Sequence, residues 1–205
     1  MFEFNGIKIE WLGHASFKIK TDKVVVYIDP FHLETAEKAD IILITHDHYD
    51  HCSPEDVEKI RKESTVVFAA GNCDVKVDAV MVPGQREEVK NVIIDAVPAY
   101  NKKKKFHPKD KKYVGYVIEI KGKRIYHAGD TDIIPEMEEI RAQVALLPVG
   151  GTYTMDADEA AVAAKKIGCD IAVPMHWGTI IGSKEDAEHF RDVYECEVKI
   201  LGTGE

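Results

Sequence analysis

The sequence predicts an α/β protein of two mixed sheets packed face to face, with helices outside. Three observations carry this prediction. Short apolar runs alternate with helical patterns along the whole chain. The first half is mostly strand with one helix, while the second half alternates strand and helix. In both halves the polar residues that stand out chemically come directly after an apolar strand. The 205 residues, 45% of them hydrophobic, suffice for a real core, and 1–205 is read as a single domain or a closely fused pair of half-domains.

Residues 7–9, 16–19 and 24–28 read as strands, with Thr21-Asp22-Lys23 as a turn. Ile41-Ile42-Leu43-Ile44 is continuous and β-rich, the pattern of a strand buried on both faces, and it delivers the chain into His46. Ser53 is a good N-cap, Pro54 suits the first helical position, and Glu55 and Asp56 favour the positive end of a helix, here expected over 54–63. Strands follow at 66–70, 80–82 and 92–97. A lysine-rich stretch then interrupts the order. Residues 113–120 and 124–127 form a hairpin, and Gly129-Asp130-Thr131 breaks out of it. A helix at 135–141 leads to a strand at 144–147 and a Gly150-Gly151 loop. Asp156 and Glu159 form a capping box for a helix over 157–167. A strand at 171–174 ends at Met175-His176, Ser183 caps a helix over 184–194, and residues 198–201 close the chain. No repeat, linker or low-complexity tract is visible in the sequence.

Bulk properties narrow the function. No stretch approaches the roughly 20 apolar residues of a membrane span, so no membrane partner is expected. The opening Met1-Phe2-Glu3-Phe4-Asn5-Gly6 has neither a basic start nor an apolar core, so no secretory signal is read and a cytoplasmic location is expected. Cys52, Cys73, Cys169 and Cys196 are scattered, a poor disulfide or zinc-finger pattern that fits a reducing compartment. The net charge of -9 argues against nucleic acid as a general partner. Against that balance, Lys102, Lys103, Lys104, Lys105, Lys109, Lys111 and Lys112 lie close together. Such a run is most often a solvated loop, and its alternative role is a cationic rim, with Lys105 the substrate-binding candidate.

The chemistry concentrates in His46-Asp47-His48-Tyr49-Asp50-His51. Imidazole and carboxylate are the ligands of zinc and similar divalent ions. In an extended segment residues two apart point the same way, so His46 and His48 can face one ion, and a turn at Tyr49 swings Asp50 and His51 toward a second position. Two ions about 3.5–4 Å apart share a hydroxide and clamp the attacking and leaving oxygens. Metal also lowers the pKa of bound water to about 7, which supplies a nucleophile without a catalytic serine.

These residues resemble a known family. His46-x-His48-x-Asp50-His51 matches the H-x-H-x-D-H motif of the metallo-β-lactamase superfamily, Gly129-Asp130-Thr131 resembles its G-D-T motif, and His176 resembles its last histidine ligand. Trp11-Leu12-Gly13-His14-Ala15-Ser16-Phe17 and Asp29-Pro30 resemble the UlaG-like, or L-ascorbate-6-phosphate lactonase-like, branch. The resemblance implies a four-layer αβ/βα sandwich and two divalent metal ions, zinc first, with manganese or iron as alternatives. It implies His46 and His48 on the first ion, Asp50, His51 and His176 on the second, Asp130 bridging, and a proton-handling role for Asp50. One departure stands out. Relatives supply a further histidine between the two motifs, often after an Ala-x pair, whereas here Ala99-Tyr100 is followed by Asn101. His107 is expected to complete the first site. A water-filled position or a mononuclear site is the alternative. His14 is a candidate for lining the site. His127 is expected in the core or behind the ligands, His189 on a helix surface, and His32 in a loop within reach.

The expected activity is hydrolysis of an ester, lactone or phosphoester bond of a small anionic substrate by metal-bound hydroxide. The alternatives are a phosphodiesterase or nuclease acting on nucleic acid, and a metal-binding protein without hydrolytic activity. β-Lactam hydrolysis is disfavoured because no export signal is read. A di-iron redox site is disfavoured because His48 is retained. A homo-oligomer is compatible with the sequence.

Overall fold

The computed structural model describes residues 1–34 and 37–203. The chain forms two units, one of Met1–Met81 with the C-terminal residues from Leu201, the other of Val82–Ile200. Each unit contains one mixed seven-stranded sheet with helices, so the α/β class with two mixed sheets is the class found.

The first unit runs β1 (Phe2–Phe4), β2 (Ile7–Gly13), β3 (Ser16–Lys20), β4 (Val25–Ile28), β5 (Ile41–Ile44), β6 (Val66–Ala69) and β7 (Ala79–Val80), and its strands lie side by side in chain order. The pairings from β1 to β4 are antiparallel, and those from β4 to β7 are parallel. Parallel neighbours need a crossover, and α1 (Pro54–Ile60) supplies the one between β5 and β6. Strand alternation puts Val25, Tyr27, Ile42, Ile44, Val67 and Ala69 into one buried cluster with Val57 and Ile60 of α1. All four β5 residues are fully buried, as their unbroken apolar run predicts. Ser53 caps α1 by accepting from the Asp56 N–H, with Pro54 at the first turn. Cys52 lies in this apolar cluster.

The second unit runs β8 (Arg86–Val89), β9 (Val92–Pro98), β10 (Val114–Ile120), β11 (Lys123–His127), β12 (Val144–Pro148), β13 (Ile171–Met175) and β14 (Glu197–Val198), again side by side in chain order. It repeats the plan of the first unit: antiparallel from β8 to β11, parallel from β11 to β14. This repeat lies in the pairing scheme and has no counterpart in the sequence. The α2 helix (Ala157–Ile167) starts on the expected Asp156–Glu159 capping box. It buries Ala157, Ala160, Ala163, Ala164 and Ile167, a mostly small-residue face that lies against β12 and α3 (Lys184–Val193).

Several expectations are corrected. Strands β1 and β8 were not foreseen. Each is joined to the next strand by a two-residue turn with positive φ at both positions, Asn5-Gly6 (51° and 73°) and Lys90-Asn91 (53° and 61°). Asn-Gly is the favoured composition of such hairpins, so β1 carried a readable signal. Strand β8 is the charged Arg-Glu-Glu-Val edge of its sheet, where apolar alternation is absent and charge discourages further pairing. The helix expected over 135–141 is only the 3-10 turn Pro135–Glu138. α1 stops at Ile60 because Arg61 is extended, with ψ 143°. The closing strand is Glu197–Val198, ahead of the expected 198–201. No helix among the described residues is long and apolar enough to cross a membrane.

The strand plan decides where chemistry is placed. In open α/β sheets the loops leaving the carboxyl ends of strands beside parallel neighbours carry the ligands. Here those loops begin with Asp29 after β4, Thr45-His46 after β5, Ala128-Gly129-Asp130 after β11 and His176 after β13.

Candidate metal centre

In the first unit Asp29 is the hub. Its side chain is fully buried and its backbone is left-handed, with φ 45°. Oδ1 accepts the Thr45 backbone N–H at 2.7 Å, and Oδ2 accepts the Thr45 hydroxyl at 2.7 Å. His51 Nδ1 also lies 2.7 Å from Oδ2. An ionised carboxylate only accepts, so His51 carries its proton on Nδ1 and presents Nε2 as its basic nitrogen. The same logic passes through Thr45. Its hydroxyl hydrogen is spent on Asp29, so its oxygen accepts from His46 Nδ1 at 2.9 Å, and His46 too presents Nε2. Thus one buried aspartate sets the tautomer of two histidines, as carboxylates behind metal-ligating imidazoles commonly do.

His46 Nε2 lies 3.1 Å from His48 Nδ1. A turn follows in which the N–H groups of His51 and Cys52 both bond to the His48 carbonyl, and it leaves Tyr49 exposed. This is the turn expected at Tyr49. His14, Asp50 and His51 each offer a ligand atom within 4.8 Å of one another. His14 Nε2 is 2.9 Å from Asp50 Oδ2, and His14 is buried. The Trp11 indole N–H donates to the His14 carbonyl at 2.8 Å, which steadies a residue whose own φ is 51°. Asp47 is turned to a different use: it accepts the Asn72 N–H at 2.8 Å. Gly71 makes room for it, since a Cβ there would stand 2.9 Å from the Asp47 carboxyl carbon.

In the second unit Asp130 is the meeting point. His107 Nε2 and His176 Nε2 each lie 3.2 Å from Asp130 Oδ2, and all three residues are buried. His176 adopts φ 60°, and Gly150 lets its loop approach, because a Cβ at Gly150 would be 2.5 Å from the His176 carbonyl oxygen. Asn101 stands behind His107. Its Oδ1 accepts the His107 backbone N–H at 3.0 Å and lies 3.1 Å from His107 Nδ1. Its Nδ2 donates to Asp132 Oδ1 and to the Tyr153 carbonyl, both at 3.0 Å. Both amide hydrogens and both oxygen lone pairs of Asn101 are therefore engaged, and none is left for an ion. Burial alone would raise the Asp132 pKa, but the Lys104 ammonium and the Lys102 backbone N–H outweigh it and hold the carboxyl below its usual range.

The donor set fits a divalent ion. Ligand atoms each about 2.0–2.1 Å from a tetrahedral zinc lie about 3.3 Å apart. The pairs within each unit stand at 3.1 Å and 3.2 Å. Neutral imidazole and buried carboxylate are the ligands that zinc, manganese and iron accept.

The remaining candidates fall elsewhere. Lys105 is exposed and makes no hydrogen bond or ion pair among the described residues. Lys104 donates to Asp132 at 2.8 Å and the Thr154 carbonyl at 2.7 Å, while Lys109 donates to Glu136 at 2.9 Å. Two of the seven lysines thus spend their charge on acids of their own unit. His127 is buried and accepts the Gly129 N–H at 3.1 Å, His189 pairs with Asp158 on a helix surface, and His32 is exposed and stacked on Phe31. Asp29 and Asn101 are the residues whose positions behind the candidate ligands the sequence reading missed. The Asp29-Pro30 dipeptide after a strand was the only available signal.

A family model described as a β-lactamase superfamily domain matches residues 8–176. A UPF0173 metal-dependent hydrolase of Methanopyrus kandleri is 34% identical over 227 residues, covering 97% of this chain and 98% of the relative. One of Thermoplasma volcanium is 38% identical over 215 residues, 91% of each chain. Among solved structures, Igni18, described as a novel metallo hydrolase from Ignicoccus hospitalis, is 27% identical with a TM-score of 0.78, covering 97% of this chain and 96% of that one.

Proposed function

The chain belongs to the β-lactamase superfamily and is a metal-dependent hydrolase, and on that footing we propose that it cleaves an ester, lactone or phosphoester bond of a small anionic substrate with two divalent ions, zinc first and manganese or iron as alternatives. The ligand set is the one the motif order assigns: His46, His48 and His107 for the first ion, Asp50, His51 and His176 for the second, and Asp130 for both. The observation that carries the reading is the pair of imidazole nitrogens at 3.2 Å from one Asp130 oxygen, each brought there on a buried side chain. When bound, such ions supply a water-derived nucleophile at neutral pH and polarise the scissile bond.

The chain's own residues do the rest. Asp29 and Thr45 hold His46 and His51 with Nε2 basic. We assign to Asp50 the uptake and release of the proton, a role supported by its partly exposed carboxylate, which lies 2.9 Å from buried His14 Nε2. We read residues 1–205 as one catalytic domain, and the Trp11–Phe17 segment with Asp29-Pro30 as favouring the UlaG-like branch and hence a lactone or small phosphorylated substrate. The four free cysteines suit a reducing cytoplasm. Metal analysis of protein purified without chelator, joined to a panel of lactone, aryl ester and phosphodiester substrates, tests the proposal. About two transition-metal ions per chain and chelator-sensitive turnover of a lactone or phosphoester are expected. No metal uptake on reconstitution would refute the centre, and turnover of neutral esters alone would refute the anionic substrate.

A further inference from the structure

Resting on the assignment of His107 above, we propose that Asn101 is a positioning residue: its side-chain amide locks His107 in the Nδ1–H tautomer and so makes Nε2 the nitrogen available to an ion.

The partners of the Asn101 amide fix its direction. Oxygen and nitrogen of an asparagine side chain look alike, so their assignment must come from the partners. On one side stand Asp132 Oδ1 and the Tyr153 carbonyl, both at 3.0 Å. A carbonyl accepts only, and so does a carboxylate held ionised by the Lys104 ammonium at 2.8 Å. The amide nitrogen must face them. On the other side stands the His107 backbone N–H at 3.0 Å, which only donates. The amide oxygen must face it. The same oxygen lies 3.1 Å from His107 Nδ1, and an oxygen there admits only a donor. Nδ1 therefore carries a proton, which leaves Nε2, 3.2 Å from Asp130 Oδ2, as the nitrogen that an ion can take.

The surroundings hold this arrangement in place. The Asn101 N–H donates to the His107 carbonyl at 2.7 Å, so the lysine-bearing excursion between them is closed at its base by backbone as well as side chain. The Lys102 N–H donates to Asp132 Oδ2 at 2.8 Å, and the Asp132 N–H donates to the Tyr100 carbonyl at 3.0 Å. The device parallels that of Asp29, with a neutral amide doing at His107 what a carboxylate does at His51. A neutral acceptor fixes the tautomer without adding a negative charge beside Asp130 and Asp132.

The test is the side-chain nitrogen spectrum of the full-length protein, recorded by long-range proton–nitrogen correlation before and after zinc loading. His107 is assigned by the resonance missing in His107→Ala. In the wild type His107 Nδ1 is expected to carry a proton both before zinc is added and after; an unprotonated Nδ1 in either state overturns the proposal without any variant. Asn101→Ala should move His107 toward Nε2–H or a mixture and weaken zinc binding about 10–100-fold. An unchanged tautomer in a folded Asn101→Ala protein overturns the proposal. Zinc stoichiometry of His107→Ala separates the two readings. A full metal complement there removes His107 from the ligand set, whereas the tautomer spectra still decide the role of Asn101.

Discussion

Replacing Asp29 by Asn is the sharpest perturbation of the first unit, because it changes one atom at the hub and little else. Asn tolerates left-handed backbone at least as well as Asp, so the φ of 45° adds no new strain. The amide oxygen can keep the Thr45 N–H bond made by Oδ1. The NH₂ group then replaces Oδ2 and faces two former donors, the Thr45 hydroxyl and His51 Nδ1. His51 can recover a partner only by moving its proton to Nε2, which takes away the basic nitrogen. The Thr45 hydroxyl loses its charged acceptor and no longer needs to accept from His46. The stability loss without metal should be about 1.5–3 kcal/mol, that of a buried hydrogen bond to a charged group. The loss of zinc affinity should be about 10–100-fold. Urea unfolding of metal-free protein reads the first as a lower midpoint at unchanged slope, and competition with a chromophoric chelator reads the second. Unchanged zinc affinity in Asp29→Asn would refute the claim that Asp29 sets the imidazole tautomers.

Three further outcomes are expected. Asp50→Ala should lower kcat by about 10²–10⁴-fold, the worth of a positioned proton-transfer group, and near wild-type turnover at full metal content would remove Asp50 from proton handling. Burial alone would raise the Asp56 pKa, but Ser53, the Leu33 and His32 N–H groups and Lys59 outweigh it and hold the carboxyl below its ordinary value. Its stabilisation is therefore complete above the usual carboxylate pKa and is lost as pH falls through the lowered one. Asp56→Asn should cost about 1.5–3 kcal/mol at neutral pH, with a gap to wild type that closes in acid; a pH-independent gap in urea midpoints would contradict this. For the lysine segment, Lys102, Lys103 and Lys105 changed together to Ser should raise KM for an anionic substrate more than for a neutral one, and equal shifts would show that the segment steers nothing.

The sequence made the candidate ligands legible and left the residues behind them hidden, for a physical reason. His46 to His51 are neighbours, so spacing alone shows that several can converge. Asp29 and His51 are 22 residues apart and Asn101 and Asp132 are 31 apart, and no local pattern joins such pairs before the strands are in register. The buried strand Ile41–Ile44 was readable because burial on both faces writes itself into composition. The edge strand Arg86–Val89 was not, because an edge is stabilised by backbone pairing and guarded by charge. The Pro135–Glu138 turn carries good helix-start signals but no apolar stripe long enough to sustain a helix. That the Asn101 amide has all four of its hydrogen-bonding positions occupied was equally invisible in the sequence, because its partners come from residues 107, 132 and 153.

The strand plan shared by the two units also bears on how the chain reaches its native state. In each, the first four strands form a meander of neighbours in sequence, closed by turns as short as Asn5-Gly6, Lys90-Asn91 and Lys121-Gly122. Such local pairings carry little loop-closure entropy and assemble early, whereas the parallel strands wait for long crossovers. The bond from His51 to Asp29 spans the β4–β5 junction, where the pairing changes sense. The ligand loops should accordingly be among the last parts to order, after the meanders have set the platform on which β5 and β12 dock. Pulsed hydrogen exchange during refolding without metal should protect β2–β3 and β10–β11 amides before those of β5 and β12, and the reverse order would mean that the metal-site loops nucleate the fold.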